Sequence, residues 1–144
     1  MRSIAIAIAI AAVAAVTASP ARAAEPPSGA GFYSVDTAGS TQALRVGEKG
    51  KWVLSLRAKA PWHVDPRAPV KIRLEPGAGL APERTALARK DAVDPRAESP
   101  RFEAPFSASA PGSHQAKAHL EFFLCRDTIC ERQTTTVALP VTVK

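Results

Sequence analysis

The chain has two cysteines, Cys125 and Cys130, both in the stretch FFLCRDTICERQ that runs from Phe122 to Gln133. Two thiols at this spacing can be a structural disulfide, a pair of thiolate ligands for a metal, or a redox couple that trades electrons with another dithiol. A zinc centre needs about four ligands. His119 lies six positions before Cys125, roughly 20 Å along an extended strand, too far to share an ion. His114 falls on the opposite face of such a strand. His63, in the stretch PWHVDP, has no position fixed by pattern, so a copper-type set of Cys125, Cys130 and His63 stays open. The pair does not follow the C-x-x-C spacing that opens a helix in thioredoxin-like proteins. Arg126 and Arg132 flank it, with Asp127 and Glu131 of opposite sign. A nearby cation favours thiolate, but with both signs present these four read as turn residues in water.

The compartment matters for thiols, and the first residues address it. Arg2 precedes an apolar run from Ile4 to Val16. Pro20 breaks that run, and Ala21-Arg22-Ala23 presents small residues where a signal peptidase reads. Residues 1–23 are therefore expected to be a cleaved signal peptide; the run is short of the roughly 18 residues of a membrane span. An exported chain meets oxidising conditions, and two cysteines with none left over fit one intramolecular disulfide.

The whole chain carries 19 basic and 13 acidic residues. Arg2 and Arg22 leave with the signal, so 17 face 13 and the mature balance is +4. No Lys/Arg cluster is dense enough for a nucleic-acid groove, and no further long apolar run suggests a membrane. A Ser/His/Asp set, a glycine-rich phosphate loop and paired acid–base carboxylates do not stand out, which speaks against hydrolase and nucleotide chemistry. No cofactor motif is recognised.

The elements that must position the cysteines are strands. Residues 24–40 are rich in Pro, Gly, Ser and Ala and read as a flexible leader, leaving residues 41–144 as one domain. In GKWVLSLRAKA, Trp52, Leu54, Leu56 and Ala58 share one face while Val53, Ser55, Arg57 and Lys59 share the other. PVKIRLEP repeats the alternation with Val70, Ile72 and Leu74 inward. TALARKDAV fits a short strand or a helical turn, with strand preferred. Between Asp94 and Gly112 four prolines leave room for a short edge strand at Phe102–Phe106. HQAKAHLEFFLC and ERQTTTVALPVTV are the clearest strands, the second with Pro140 at an edge or with its nitrogen turned outward. Several short strands joined by Pro/Gly turns predict an all-β, immunoglobulin-like antiparallel sandwich.

If the last two strands form a hairpin with Cys125 opposite Cys130, then Leu120 faces Thr135, Ala118 faces Val137 and Ala116 faces Leu139. The apolar residues of both strands then share a side, whereas a slip of one would turn one set outward. The cysteines fall on the other, mostly polar side with Phe123, at a solvent-facing tip. A bridge over so short a loop contributes only about 2 kcal/mol in the chain-entropy account. The residues alone leave open an inert staple in a binding or structural domain, an exchange couple, and a copper- or zinc-handling site.

The strand running into FFLCRDTICERQTTTVALPVTV, together with APWHVDPRAPVKIRL, resembles the amino-terminal immunoglobulin-like periplasmic domain of the DsbD thiol–disulfide interchange reductase family. The likeness spans Leu44 to Lys144; its specific motifs are Trp62-His63 and the cysteine hairpin. It implies that Cys125 and Cys130 form a catalytic disulfide pair that passes electrons between thioredoxin-like periplasmic proteins and other disulfide proteins. The gap between the cysteines is shorter than in that family, and the family's membrane and thioredoxin-like domains have no counterpart in these residues. The family shields its pair with an aromatic side chain, for which Phe123 and Phe106 are the candidates. The expectation is therefore a periplasmic or secreted exchange module with no nucleic acid, membrane or metal partner.

Overall fold

The computed structural model describes residues 31–144. The expected signal peptide, residues 1–23, lies outside them, as does the first part of the leader. Ten strands follow in order: β1 (Tyr33–Asp36), β2 (Ala43–Leu44), β3 (Lys49–Ala58), β4 (His63–Val64), β5 (Lys71–Glu75), β6 (Leu80–Pro82), β7 (Ala86–Ala88), β8 (Arg101–Ala108), β9 (Gly112–Arg126) and β10 (Ile129–Val143). A single 3₁₀ turn, Arg89–Asp91, follows β7. One sheet has the order β1-β3-β8-β6; the other runs β2-β10-β9-β5-β7, with β4 also pairing β9. All pairings are antiparallel except the short parallel contact of β2 with β10. The fold is an immunoglobulin-like β-sandwich.

Its core follows from period-2 patterning, because alternate side chains of a strand point to opposite faces. Trp52, Leu54 and Leu56 of β3 are buried against Ile72 and Leu74 of β5 and Leu120, Phe122 and Leu124 of β9, all in one hydrophobic cluster. Trp52 stacks on Phe106 with ring centroids 4.1 Å apart. Tyr33 meets Phe122 edge-on at 4.9 Å, a favoured aromatic geometry.

Three expectations change. The span 24–40, read as a flexible leader, contains β1: Tyr33–Asp36 pairs with β3. Tyr33 drives this, since burying its ring outweighs the loop-like composition around it. Val53, expected on a polar face, is buried, because the turn after β1 folds over it and the Ser40 hydroxyl bonds both its N–H and its carbonyl. The segment expected to hold a short edge strand forms β8, which lies between β3 and β6. Pro105 is tolerated there because its carbonyl accepts from Glu83 N–H. A residue's nitrogen and carbonyl point to the same side of a strand, so the missing donor faces β6 and the β3 ladder is intact. TALARKDAV supplies both β7 and the 3₁₀ turn.

β9 and β10 pair over their full lengths, with Cys130 opposite Cys125, Thr135 opposite Leu120, Val137 opposite Ala118 and Leu139 opposite Ala116. That is the register expected from the apolar pattern. It carries one polar passenger inward: Gln133 is 2% exposed, and neither its amide nitrogen nor its oxygen has a partner among the described residues. An unpaired buried amide costs roughly 1–3 kcal/mol. Gln133→Leu, close in volume, is expected to raise stability by about that amount in urea unfolding; a loss of stability would mean that the amide is satisfied after all.

Candidate functional site

The hairpin closes through Asp127 and Thr128, and Asp127 takes φ 53°, a left-handed conformation that aspartate tolerates better than most residues. This tight turn brings the cysteines face to face. Their Cα atoms are 4.0 Å apart and the sulfurs are joined at 2.04 Å. So close an approach belongs to a pair whose backbone groups point away from each other; the hydrogen-bonded pairs of an antiparallel ladder are wider.

A third strand completes the row. β4 sets His63 opposite Cys125 and Val64 opposite Leu124 on the far side of β9. It is anchored by its neighbours in sequence, because Trp62 and Val64 are buried in the core while the residue between them points outward. His63, Cys125 and Cys130 therefore stand side by side on the outer face of three adjacent strands. Pattern alone could not place His63, since a two-residue strand has no periodicity to read; burial of Trp62 and Val64 was the available signal.

The two sulfurs are not equivalent. Cys125 is 3% exposed, flanked by β4 and β10. Cys130 is exposed, because nothing among the described residues pairs with the far side of β10 at that level. The expectation of an exposed tip thus holds for one cysteine and is corrected for the other. Of the two candidate aromatics, one lies away from the pair. Phe106 belongs to the Trp52 stack in the other sheet. Phe123 does share the cysteine face, opposite Arg132. The aromatic that reaches the tip is Trp62, with the Arg126 guanidinium 4.8 Å above its ring and Phe32 5.6 Å away. Arg126 is thus a packed residue and not a free turn cation, and Arg132 is paired to Glu121.

The loop behind β4 is held by Arg89. Its guanidinium donates to the carbonyls of Asp65, Ala68 and Ala97, and burial lowers its pKa from the usual value. The 3₁₀ turn that carries Arg89 is itself fastened by Asp91, which accepts from Ala88 N–H and from Arg84. These bonds, the backbone one first, hold the Asp91 carboxyl below its ordinary pKa.

No group of three or more His, Cys, Asp or Glu is placed to hold a metal among the described residues. His63 joins the cysteine row, yet both sulfurs are bonded to each other and neither is a thiolate. His119 is engaged elsewhere: its ring nitrogens meet Thr136 and Glu75, each at 3.0 Å, and this contact is the main cause that lowers the Glu75 pKa. A shallow groove of about 1150 Å³ on the same outer face is lined by Lys71, Arg73, Lys90, His119 and Thr134 among others. It begins four residues from Cys130, roughly 13 Å along the strand. No helix among the described residues is long and apolar enough to cross a membrane.

No protein-family model and no curated protein matches the chain. Among solved structures it is similar to the cohesin module of a family 33 glycoside hydrolase from Clostridium perfringens, at 7% identity and TM-score 0.46 over 78% of this chain and 95% of that one. It is similar to a conjugative transposon lipoprotein from Bacteroides eggerthii at 10% identity and TM-score 0.40, over 72% and 94%. AggA, the major subunit of aggregative adherence fimbriae type I from Escherichia coli, is at 12% and 0.36, over 78% and 95%.

Two outcomes follow. Arg89→Ala removes three charge-assisted bonds and leaves carbonyls unpaired, so it is expected to cost about 2–3 kcal/mol in denaturant unfolding, and to speed reduction of the disulfide as the loop behind β4 loosens. The Asp91 carboxyl has a folded pKa below its unfolded one, so its stabilisation is present above the unfolded value, about 3.9, and is lost as pH falls through the folded value. The melting temperature is therefore expected to drop below about pH 4, and Asp91→Asn to flatten that drop; equal acid profiles for the two proteins would remove Asp91 from the account.

Proposed function

We propose that this chain is an exported thiol–disulfide exchange module, similar in role to the DsbD amino-terminal domain, working through Cys125 and Cys130 with thioredoxin-like periplasmic partners. The observation that carries this reading is the asymmetry of the pair: one sulfur open to a partner, the other covered. Exchange needs a sulfur to attack and a second to leave. A partner thiolate attacks Cys130 Sγ, the Cys125–Cys130 bond breaks, and its electron pair departs on Cys125, which takes a proton. The partner's second thiolate then attacks the partner sulfur of the mixed disulfide and releases the Cys130 thiolate. The partner leaves oxidised by two electrons and this chain holds two thiols; the reverse sequence reduces a partner disulfide. His63, opposite Cys125 on the same face, is the side chain placed to donate a hydrogen bond to the departing sulfur.

The rival is an inert disulfide in a binding or structural domain. Structural bridges in secreted proteins have potentials below about −300 mV, and the exchange reading requires a value well above that. It further requires that Cys125→Ser, which leaves the open thiol, trap a mixed disulfide with a thioredoxin-like partner supplied in its disulfide form, and that Cys130→Ser trap far less. A potential at or below the structural range, with the double serine variant merely less stable by about 2 kcal/mol, would leave the staple as the answer.

A further inference from the structure

Along β10 one flank is paired with β9 throughout, while the other meets β2 only at Thr142 and Val143. Among the described residues nothing pairs with that second flank from Cys130 to Pro140. The direction of the free backbone groups is fixed twice over. The close Cys125–Cys130 pair turns the Cys130 N–H and C=O away from β9, and alternation extends this to Arg132, Thr134, Thr136 and Ala138. Independently, Thr142 N–H bonds Gln42 and Lys144 N–H bonds Leu44 on the β2 side, so the even-numbered residues do face outward. Pro140, in the same set, has no N–H to offer. The open edge therefore runs from the exposed cysteine to Ala138, about 30 Å at strand spacing.

Displacement at sulfur is in-line: the incoming thiolate approaches opposite the departing sulfur. The bond to be broken spans β9 and β10. Extended through Cys125 it runs over β4 and His63; extended through Cys130 it runs out over the open edge. We infer that the thiol partner docks by adding an extended, cysteine-bearing segment to the free edge of β10, which puts its sulfur fourth in the row after His63, Cys125 and Cys130. This rests on the exchange reading and names how its partner is held. Backbone pairing supplies the affinity, as in other strand-addition complexes, and register with Cys130 aims the attack.

The test uses a synthetic peptide, acetyl-Thr-Val-Thr-Val-Cys-Val-Thr-Val-Thr-amide, long enough on either side of its cysteine to reach Thr134, and two isomers of it, one N-methylated at every Thr nitrogen and one at every Val nitrogen. In a paired strand alternate N–H groups face the neighbour, so over the open edge one isomer loses two bonds to β10 and the other loses none. The rate of disulfide opening is read beside that with 2-mercaptoethanol, which is too small to pair. The expected result is about a tenfold slower reaction for one isomer only, the scale of two lost hydrogen bonds; which isomer it is reports the strand polarity. Equal rates for the two isomers overturn the docking while leaving exchange intact. A disulfide that 2-mercaptoethanol and all three peptides leave closed overturns both. Thr134→Pro, which removes an outward donor as Pro140 already does, is expected to slow the unmethylated peptide several-fold, one net hydrogen bond's worth, with the 2-mercaptoethanol rate unchanged. A chain that sediments as a dimer and becomes monomeric in Thr134→Pro would put a second copy on this edge and overturn the assignment to a thiol partner.

Discussion

The alternation of close and wide pairs along β9 and β10 governs the rest of the molecule. Once Cys125 and Cys130 form a close pair, every residue of the ribbon has its side-chain face and its backbone direction set. The apolar residues Leu120, Phe122, Leu124, Leu139, Val141 and Val143 must turn inward, where all are buried. The same parity forces Gln133 into the interior and turns the backbone of Thr142 toward β2, where its N–H finds Gln42. A shift by one residue would expose the apolar set, put charged residues inside and separate the sulfurs. Core and site are thus two consequences of one register.

Magnitudes set what the disulfide contributes to the fold. Burial of a large apolar side chain contributes on the order of 1.5–3 kcal/mol as an upper estimate, and six such residues hold the ribbon to the core. A bridge over a short loop adds about 2 kcal/mol. Opening it removes one small term from a ribbon already fixed by packing and a full ladder. Arg89 and Asp91 brace the other side of the row.

The strands with strong alternation were legible: β3, β5, β9 and β10, with the register of the last two, follow from where Leu, Phe, Trp and Val stand in sequence. Less legible were elements whose reason lies in the rest of the fold. β1 sits in a stretch of Gly, Ser and Ala and exists because Tyr33 packs on Phe122. β8 contains a proline that harms nothing only because its nitrogen faces β6. β4 has two residues and no pattern at all, yet it covers one cysteine and brings His63 into the row. Motif reading singled out Cys125, Cys130, Trp62 and His63 and set the cysteines opposite each other, without placing His63 beside them. Their juxtaposition is a long-range fact, since β4 and the hairpin are far apart in sequence.

An open strand edge carries a hazard, because unpaired backbone groups invite any other strand. The side chains along this edge limit it. Arg132, Thr134 and Thr136 point outward, Glu131 stands at the tip, and all are exposed, so no apolar strip rewards unspecific stacking. Pro140 and β2 close the far end. What is left is a run of backbone donors and acceptors that offers little to a chain lacking the right chemistry. On the proposed exchange reading, a segment with a thiol in register would gain a covalent bond at Cys130 in addition to the ladder, and that bond would be reversible by the same exchange. In that reading, selectivity would come from combining a weak, general interaction with one covalent position, and both are placed by the single parity of β10.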